Sequence, residues 1–394
     1  MATKAGVGIS INRKPKLAIQ EAYDEAKKAV GDSKINFAFL YSTIGYKQDS
    51  LISSFNEVVG SVPMCGCSTA GVLGNEKTDE SNFAISMMLI SSDEIRFQPV
   101  MKTGLKEDSF GVGSDIASSV NNILKDDSFA VIALGDGLTI NFDRFLSGFE
   151  GTVKKKLPIF GGTAGDGWQW KQTYQYCNGE VISNGMVCVV ISGKGRIATS
   201  VNHGCLPIGN ERKVTKSEGN VIYEIDNKPV LDVLKEYAGN DVVDNWSKAV
   251  VSLSWGFESP NAMKDAYDQL IIRFMPGKDD EKKCVFLPAE VQEGCSIWMT
   301  RRDSEKIVKG IEKLGEEINR QLGGEKPKLV FHFDCAGRGE CILSGDIKRK
   351  YIDTIRGLIG TNVPTVGFYS YGEIGPVNNI NCFHNYTAVL LVIY

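Results

Sequence analysis

Charge of either sign is not in excess: 44 Lys and Arg face 48 Asp and Glu, a net charge of −4. A nucleic-acid-binding surface normally carries a basic excess or stripe, so that function class is excluded. Histidine is scarce, with three in 394 residues: His203, His332 and His384. No H-E-x-x-H occurs, and Cys65-Gly66-Cys67 lacks a second close Cys or His pair, so nothing has zinc-site spacing. No G-x-x-x-x-G-K-[ST] appears, and Gly111-Val112-Gly113 lacks the third glycine of a dinucleotide fingerprint. No stretch approaches the roughly 18 apolar residues of a membrane span. The longest apolar runs, around residues 185–191 and 388–394, have strand length. Residues 1–16 are polar and basic without an apolar core, unlike a secretory signal. The ten cysteines are spread along the chain without a C-x-x-C, so they read as buried thiols rather than a disulfide framework. Together these absences predict a reduced, cytoplasmic protein with no membrane segment.

What is present is a globular composition, 42% hydrophobic and 23% charged, in a length that suits two or three domains at about 150 residues each. Glycine is abundant, 42 residues or about 11% against a usual ~7%. Its positions reveal an internal repeat. Three segments run from an apolar strand (residues 35–41, 129–134 and 329–333) through a helix (51–59, 142–153 and 347–359) into an apolar-Pro-x-x-Gly element. Those elements are Pro63-Met64-Cys65-Gly66, Pro158-Ile159-Phe160-Gly161 and Pro364-Thr365-Val366-Gly367. Each is followed by a small or polar turn and a closing apolar strand (83–90, 185–191 and 386–394). Residues 89–97 also match residues 190–198 beyond the closing strand.

Each unit therefore reads β-α-β-β. Proline suits a strand's first position, where its missing N–H falls outside the ladder, and glycine marks turns and close approach. Right-handed crossovers with parallel neighbours and an added antiparallel strand follow. The predicted class is α/β with α+β character: mixed sheets built from the repeats, helices packed on them, and two lobes. The boundaries read as an N-terminal extension over 1–30, one domain of two repeats over 31–230, and another over 231–394. The third repeat begins at 325. Between the second and third repeats lie strands near 213–216, 221–226, 250–255, 270–274 and 296–300. A helix over 230–238 and a charged helix over 304–322 accompany them, the latter capped by Ser304.

At these residues the sequence resembles the FIST sensory family. Gly66-Cys67-Ser68-Thr69-Ala70-Gly71, Pro158 through Asp166, Asn178-Gly179-Glu180-Val181 and Gly185-Met186-Val187 resemble its N-terminal half. Cys335-Ala336-Gly337-Arg338, Gly367 through Ile374 and Phe383-His384-Asn385-Tyr386-Thr387 resemble its C-terminal half. The resemblance implies an intracellular ligand sensor for amino acids or similar small molecules, signalling to a partner protein. It also implies a second reading, because some bacterial members bind heme and report nitric oxide to a partner histidine kinase. No helical segment before residue 30 fits the F-box that precedes the domain in some eukaryotic proteins.

Ligands of open α/β sheets sit at the carboxyl ends of strands. That rule selects Asp136, Arg338, Cys67, Ser68, Thr69, Gly162, Thr163, Asp166, Tyr371 and Glu373. Glycine lets backbone N–H groups approach an anion. Arg338 offers a planar fork for a carboxylate, and Asp136, Asp166 or Glu373 an acceptor for an ammonium. The expected ligand is thus amino-acid-like or a small acid in a cleft between repeats. Bland readings stand beside this one: Asp136 and Asp166 as caps, and Arg338 with Glu373 as a salt bridge. His384 and Asn385 enter the last strand, where the resemblance puts them in the cleft or in a turn. Trp168-Gln169-Trp170 reads as a lid, an interface anchor or a plug under a loop. A heme would need His203 or His384 as axial ligand, whereas His332 reads as buried in a strand. No cofactor is firmly implied. Ser68 lies in Gly66-x-Ser68-x-x-Gly71 rather than G-x-S-x-G. The expected protein is therefore non-catalytic, with a Cys67- or Ser68-dependent hydrolase or transferase, and a pure scaffold, as alternatives.

Overall fold

The computed structural model describes residues 3–246, 249, 252–264 and 267–394. Its main body is three six-stranded mixed sheets built on one plan. In the first unit a leading strand, Lys4–Ser10, runs into helix Pro15–Val30. The first strand Phe37–Thr43, helix Gln48–Val59 and second strand Met64–Thr69 follow. A hairpin, Gly71–Gly74 with Lys77–Asp79, then precedes the last strand Ile85–Ser91. The second unit repeats this order from Ile95–Thr103 to Gly185–Gly193, with its hairpin at Gln175–Cys177 and Glu180–Ile182. The third runs from Ile197–His203 to Thr387–Ile393, with its hairpin at Glu373–Val377 and Ile380–His384.

The unit is therefore longer than the predicted β-α-β-β by a leading strand and a helix at its start and by a two-stranded hairpin where only a turn was expected. Each leading strand pairs antiparallel with the last strand of its own unit, as Lys4↔Ser91, Ile95↔Gly193 and Ile197↔Ile393. Residues 4–30 are thus an integral edge of the first sheet rather than an extension, and the third unit begins at Ile197 rather than at 325. The match between residues 89–97 and 190–198 is the turn from one unit into the leading strand of the next.

The Pro-x-x-Gly element has a physical cause. The carbonyls of Pro63, Pro158 and Pro364 accept from Ala38, Val131 and Val330 N–H at 3.0, 3.0 and 2.9 Å, opening each parallel ladder. Three residues on, the second strand presses against the first. A β-carbon at Gly66 would lie 1.7 Å from Leu40 O, at Gly161 2.0 Å from Ala133 O, and at Gly367 1.8 Å from His332 O. Only hydrogen fits there.

The hairpins are exchanged cyclically. The first unit's adds to the third sheet, with Leu73 opposite Gly367. The second unit's adds to the first sheet, with Tyr176 opposite Gly66. The third unit's adds to the second sheet, with Ile374 opposite Gly161. No sheet is complete without its neighbour. The inner faces share one central core, in which Phe39 meets Phe331 at 4.8 Å and Tyr41 meets Phe368 at 4.6 Å, while Ile132, Leu134, Val187 and Val189 fill in from the second sheet. The outer face of each sheet is covered by its own pair of helices.

A second, smaller lobe interrupts the third unit between its leading strand and its first helix. Strands Cys205–Glu218, Val221–Ile225, Ser254–Glu258, Leu270–Arg273 and Ser296–Arg302 and helix Val230–Ala238 form most of it. Its core is built on Trp255, Val214, Ile222, Leu234 and Met299. The strand expected near 250–255 is Ser254–Glu258, and Val250 and Val251 lie outside the described residues. Helix Ser304–Leu322 is capped by Asp303, which accepts from Lys306 N at 2.9 Å, rather than by Ser304. No helix among the described residues is long and apolar enough to cross a membrane.

One substitution has opposite signs at two glycines. Gly66→Ala is expected to destabilise the protein by about 3 kcal/mol, because backbone must move to admit the methyl group. Gly357→Ala, in the helix Gly345–Ile359 with nothing within 4 Å of the new carbon, is expected to stabilise it by about 0.5–1 kcal/mol. Denaturant midpoints measure both.

Candidate functional site

The carboxyl ends of the second strands meet. Ser68 Oγ donates to Gly165 O at 2.8 Å and accepts from Tyr174 N at 2.9 Å. Gly165 N donates to Ser68 O, Ala70 N to Tyr369 O, and Thr163 N to Gly372 O, at 3.0, 3.0 and 2.8 Å. Each of these bonds joins two different units. The hydroxyls that end two of the strands repeat a role: Thr69 Oγ1 donates to Ser42 O at 3.2 Å, and Ser370 Oγ lies 3.1 Å from Asp334 O. The corners thus gather as expected, but they bond to one another instead of lining a wide hollow. A β-carbon at Gly162 would meet Ser370 Cβ at 2.9 Å, and one at Gly137 would meet Ala164 O at 2.0 Å.

Beside this junction a small aromatic pocket remains. Trp168, Trp170 and Tyr371 line it with Phe274 from the smaller lobe, and Cys335, Gly337, Ser370, Asn385 and Tyr386 complete it. Its volume is about 20 Å³, room for little more than a water molecule. Trp170 stacks on Tyr371 at 4.7 Å and on Phe274 at 5.7 Å. Trp168 meets Trp170 edge-on at 5.9 Å.

Asp166 shapes this roof. Its Oδ1 accepts from Gln169 N and Trp170 N, both at 3.1 Å, and from Tyr371 OH at 2.6 Å. Its Oδ2 accepts from Lys171 N at 2.6 Å and Gln172 N at 3.2 Å. Tyr371 OH in turn accepts from Trp168 N at 2.7 Å. The clasp holds Trp168 and Trp170 in left-handed backbone, φ 67° and 54°, at a cost of about 1–2 kcal/mol each for a side-chain-bearing residue.

Other expected site residues serve elsewhere. Arg338 is fully buried and committed: Nε lies 2.9 Å from Asp334 Oδ1, Nη1 donates to Asn202 O at 3.1 Å, and Nη2 to Tyr351 OH at 3.1 Å. It forms no salt bridge with Glu373 and does not line the pocket. Burial would raise the Asp334 carboxyl, but the Arg338 charge, with His332 at 3.2 Å and Tyr351, holds it below the usual carboxylate range. Asp136 is a turn cap, accepting from Leu138, Thr139 and Asn184 N–H at 2.9, 3.1 and 3.0 Å. Cys67 is sealed in the central core, where burial pushes its thiol well above the ordinary value. Asn385 does line the pocket, accepting from Phe274 N at 3.2 Å.

The histidines do not fit a heme. His203 Nδ1 accepts from Cys205 N at 3.0 Å, and Nε2 faces Asp268 at 3.3 Å. His384 Nε2 donates to Gly375 O at 2.9 Å. Both are buried, and neither lines the aromatic pocket. Burial pushes the His384 imidazole down to about 4, opposed by its bond to Gly375. A porphyrin would have to displace packed side chains to reach either ring.

Glu373 is the unusual group. It is fully buried with no cation beside it among the described residues, accepting from Thr387 N at 3.1 Å and Thr387 Oγ1 at 2.8 Å. Burial pushes its carboxyl up to about 8 against those bonds, and Asp334 adds to the rise. Ser370 Oγ has one proton but two acceptors in reach, Glu373 Oε1 at 2.6 Å and Asp334 O at 3.1 Å. A neutral Glu373 satisfies both: it donates to Ser370, which donates to Asp334 O.

Three swapped mixed sheets with helical outer layers, and a pocket at their junction, define a mixed α/β architecture. The FIST N domain model matches residues 36–228 and the FIST C domain model residues 231–376. The chain belongs to the FIST family, whose domains are associated with sensory signal transduction. It is 25% identical to an uncharacterized protein of Methanocaldococcus jannaschii, over 98% of this chain and 79% of that one. It is 23% identical to an uncharacterized protein of Mycobacterium tuberculosis, over 98% of each. Among solved structures it is similar to a cyanuric acid hydrolase from A. caulinodans (TM-score 0.39, 10% identity, 100% of this chain and 99% of that one). It is also similar to a chorismatase (TM-score 0.35, 6% identity, with the same shares covered).

The glycine turns, Asp166 and Tyr371 are visible in the sequence at strand ends, and the Trp pair as a tryptophan cluster. Phe274 was not, because nothing in its own segment says that the smaller lobe reaches the junction.

Replacing Glu373 separates its charge from its shape. A carboxyl whose pKa is higher folded than unfolded stabilises the fold below the unfolded value and loses that stability as pH rises towards 8. Glu373→Gln is therefore expected to match the native protein near pH 4 and to exceed its stability at pH 9, by on the order of 3–5 kcal/mol. Denaturant unfolding at the two pH values reads the difference; equal effects at both would contradict a neutral Glu373.

Proposed function

We propose that the protein is a sensory domain without a catalytic step. It takes a small molecule into the pocket beneath Trp168 and Trp170, and occupancy alters a surface read by a partner protein. The observation that carries this reading is the pocket's place. Its walls come from the second unit's loop, the third unit's corner and the smaller lobe, so a guest there touches three separately anchored pieces of chain. A guest that prefers one arrangement of those pieces shifts the population towards it.

A hydrolase or transferase reading has less support. The Ser68 hydroxyl is used in tying two units together. Cys67 is buried away from the pocket. The heme reading lacks an accessible imidazole. A purely acidic ligand would look to Arg338, which is engaged by Asp334, Tyr351 and Asn202. The pocket's aromatic walls suit an uncharged ring instead, including the side chain of an amino-acid-like ligand.

Thermal-shift measurement against aromatic amino acids, small carboxylic acids and neutral heterocycles tests this. A true ligand at about 100 times its Kd is expected to stabilise the protein by about 2.7 kcal/mol. Arg338→Ala is expected to cost about 3–5 kcal/mol of stability, through the Asp334 charge left unpaired. No stabilisation by any class, and no copurified small molecule, would overturn the proposal.

A further inference from the structure

We propose that Trp170 is a resident plug whose indole occupies the place of the ligand's own ring. The ligand is then a planar aromatic molecule of about indole size that binds by displacing it. This rests on the pocket being the sensory site and names what the site takes.

Trp170 stacks nearly parallel on two rings, 23° from Tyr371 and 12° from Phe274. That is the geometry in which aromatic walls hold a flat guest. Yet the residue is 42% exposed, and its neighbour Trp168 is 37% exposed. A tryptophan serving only as core would be buried like Trp255. Trp170 instead covers a pocket that, with the indole in place, admits little more than one water molecule.

The backbone that presents the plug is poised to leave. Gly167, Trp168 and Trp170 all have left-handed φ values, of 63°, 67° and 54°. Strain of that kind persists only where surrounding structure imposes it. Here it is imposed by polar contacts: Asp166 receiving four backbone N–H groups, and Tyr371 OH receiving Trp168 N. As the loop lifts, the released N–H groups bond to water and the Asp166 carboxylate, buried in the closed form, becomes hydrated in their place, while the stacking surface vacated by Trp170 is retaken by the incoming ring. Tyr371 contributes both a wall of the slot and a bond of the clasp, so displacement of the plug bears directly on the loop's anchor.

Indole itself is the probe, on the full chain. Trypsin is expected to cut after the exposed Lys171 several-fold faster in the presence of indole, because a displaced loop frees Lys171 N from Asp166. Mass spectrometry of the 171–172 cleavage reads this without any variant. Trp170→Ala leaves the slot open and is expected to bind indole at least tenfold more tightly than the native protein, with a larger rise in Tm. Three results would overturn the plug. If indole binds the native protein but slows cleavage at Lys171, or binds Trp170→Ala no more tightly, ligands enter under a closed roof and the pocket reading survives without the plug. If indole binds neither protein, the plug fails, and the ligand panel alone then decides the pocket reading.

Discussion

Three carbonyl oxygens, those of Leu40, Ala133 and His332, stand where β-carbons of residues 66, 161 and 367 would be. The architecture depends on this contact. With only hydrogen between them, the first and second strands of each unit lie close enough for an exchanged hairpin to place Leu73, Tyr176 or Ile374 opposite the glycine. The proline three residues earlier opens the same ladder, and so the two residues recur together. Because every hairpin belongs to another unit's sheet, loss of one contact is felt in two sheets.

The exchange also makes the junction polar and buried at once. Strand ends that would face water in an open sheet face one another, and their carbonyls and N–H groups bond across units. Charges caught in the same region are handled in two ways. Asp334 keeps its charge because Arg338 lies against it. Glu373 has only hydroxyl and amide partners, and its neutral form fits the single proton available on Ser370. Each arrangement satisfies buried groups that would otherwise be costly. Neither leaves a free charge at the edge of the junction, where the rings of Trp168, Trp170, Tyr371 and Phe274 lie.

Much of this was legible beforehand. The Pro-x-x-Gly spacing located all three second strands, and apolar runs located the first and last strands. The leading strands were missed because their pattern is weaker. Ile95–Thr103 contains a proline and several half-exposed residues, and the smaller lobe parts Ile197–His203 from the rest of its unit. At the site, Tyr371 lies in the pocket wall and Asp166 behind it, bonded to the Tyr371 hydroxyl. The sequence could not show that Asp166 spends its oxygens on its own loop and on the Tyr371 hydroxyl. For Arg338 the sequence offers a ligand carboxylate or Glu373 as partner; its actual partner, Asp334, is four residues away on the preceding strand, and whether the two meet depends on how the chain turns at Ala336–Arg338.

Local chemistry alone determined the number of repeats, the strand and helix order within most of each unit, and the glycines at which only hydrogen is tolerated. Those follow from periodicity and backbone sterics, which act over a few residues. Tertiary structure decided which sheet each hairpin joins, that the strand ends close on one another, and that Phe274 completes the pocket. These depend on contacts between residues far apart in the chain, where the favourable term is burial of surface that no local pattern assigns to a partner.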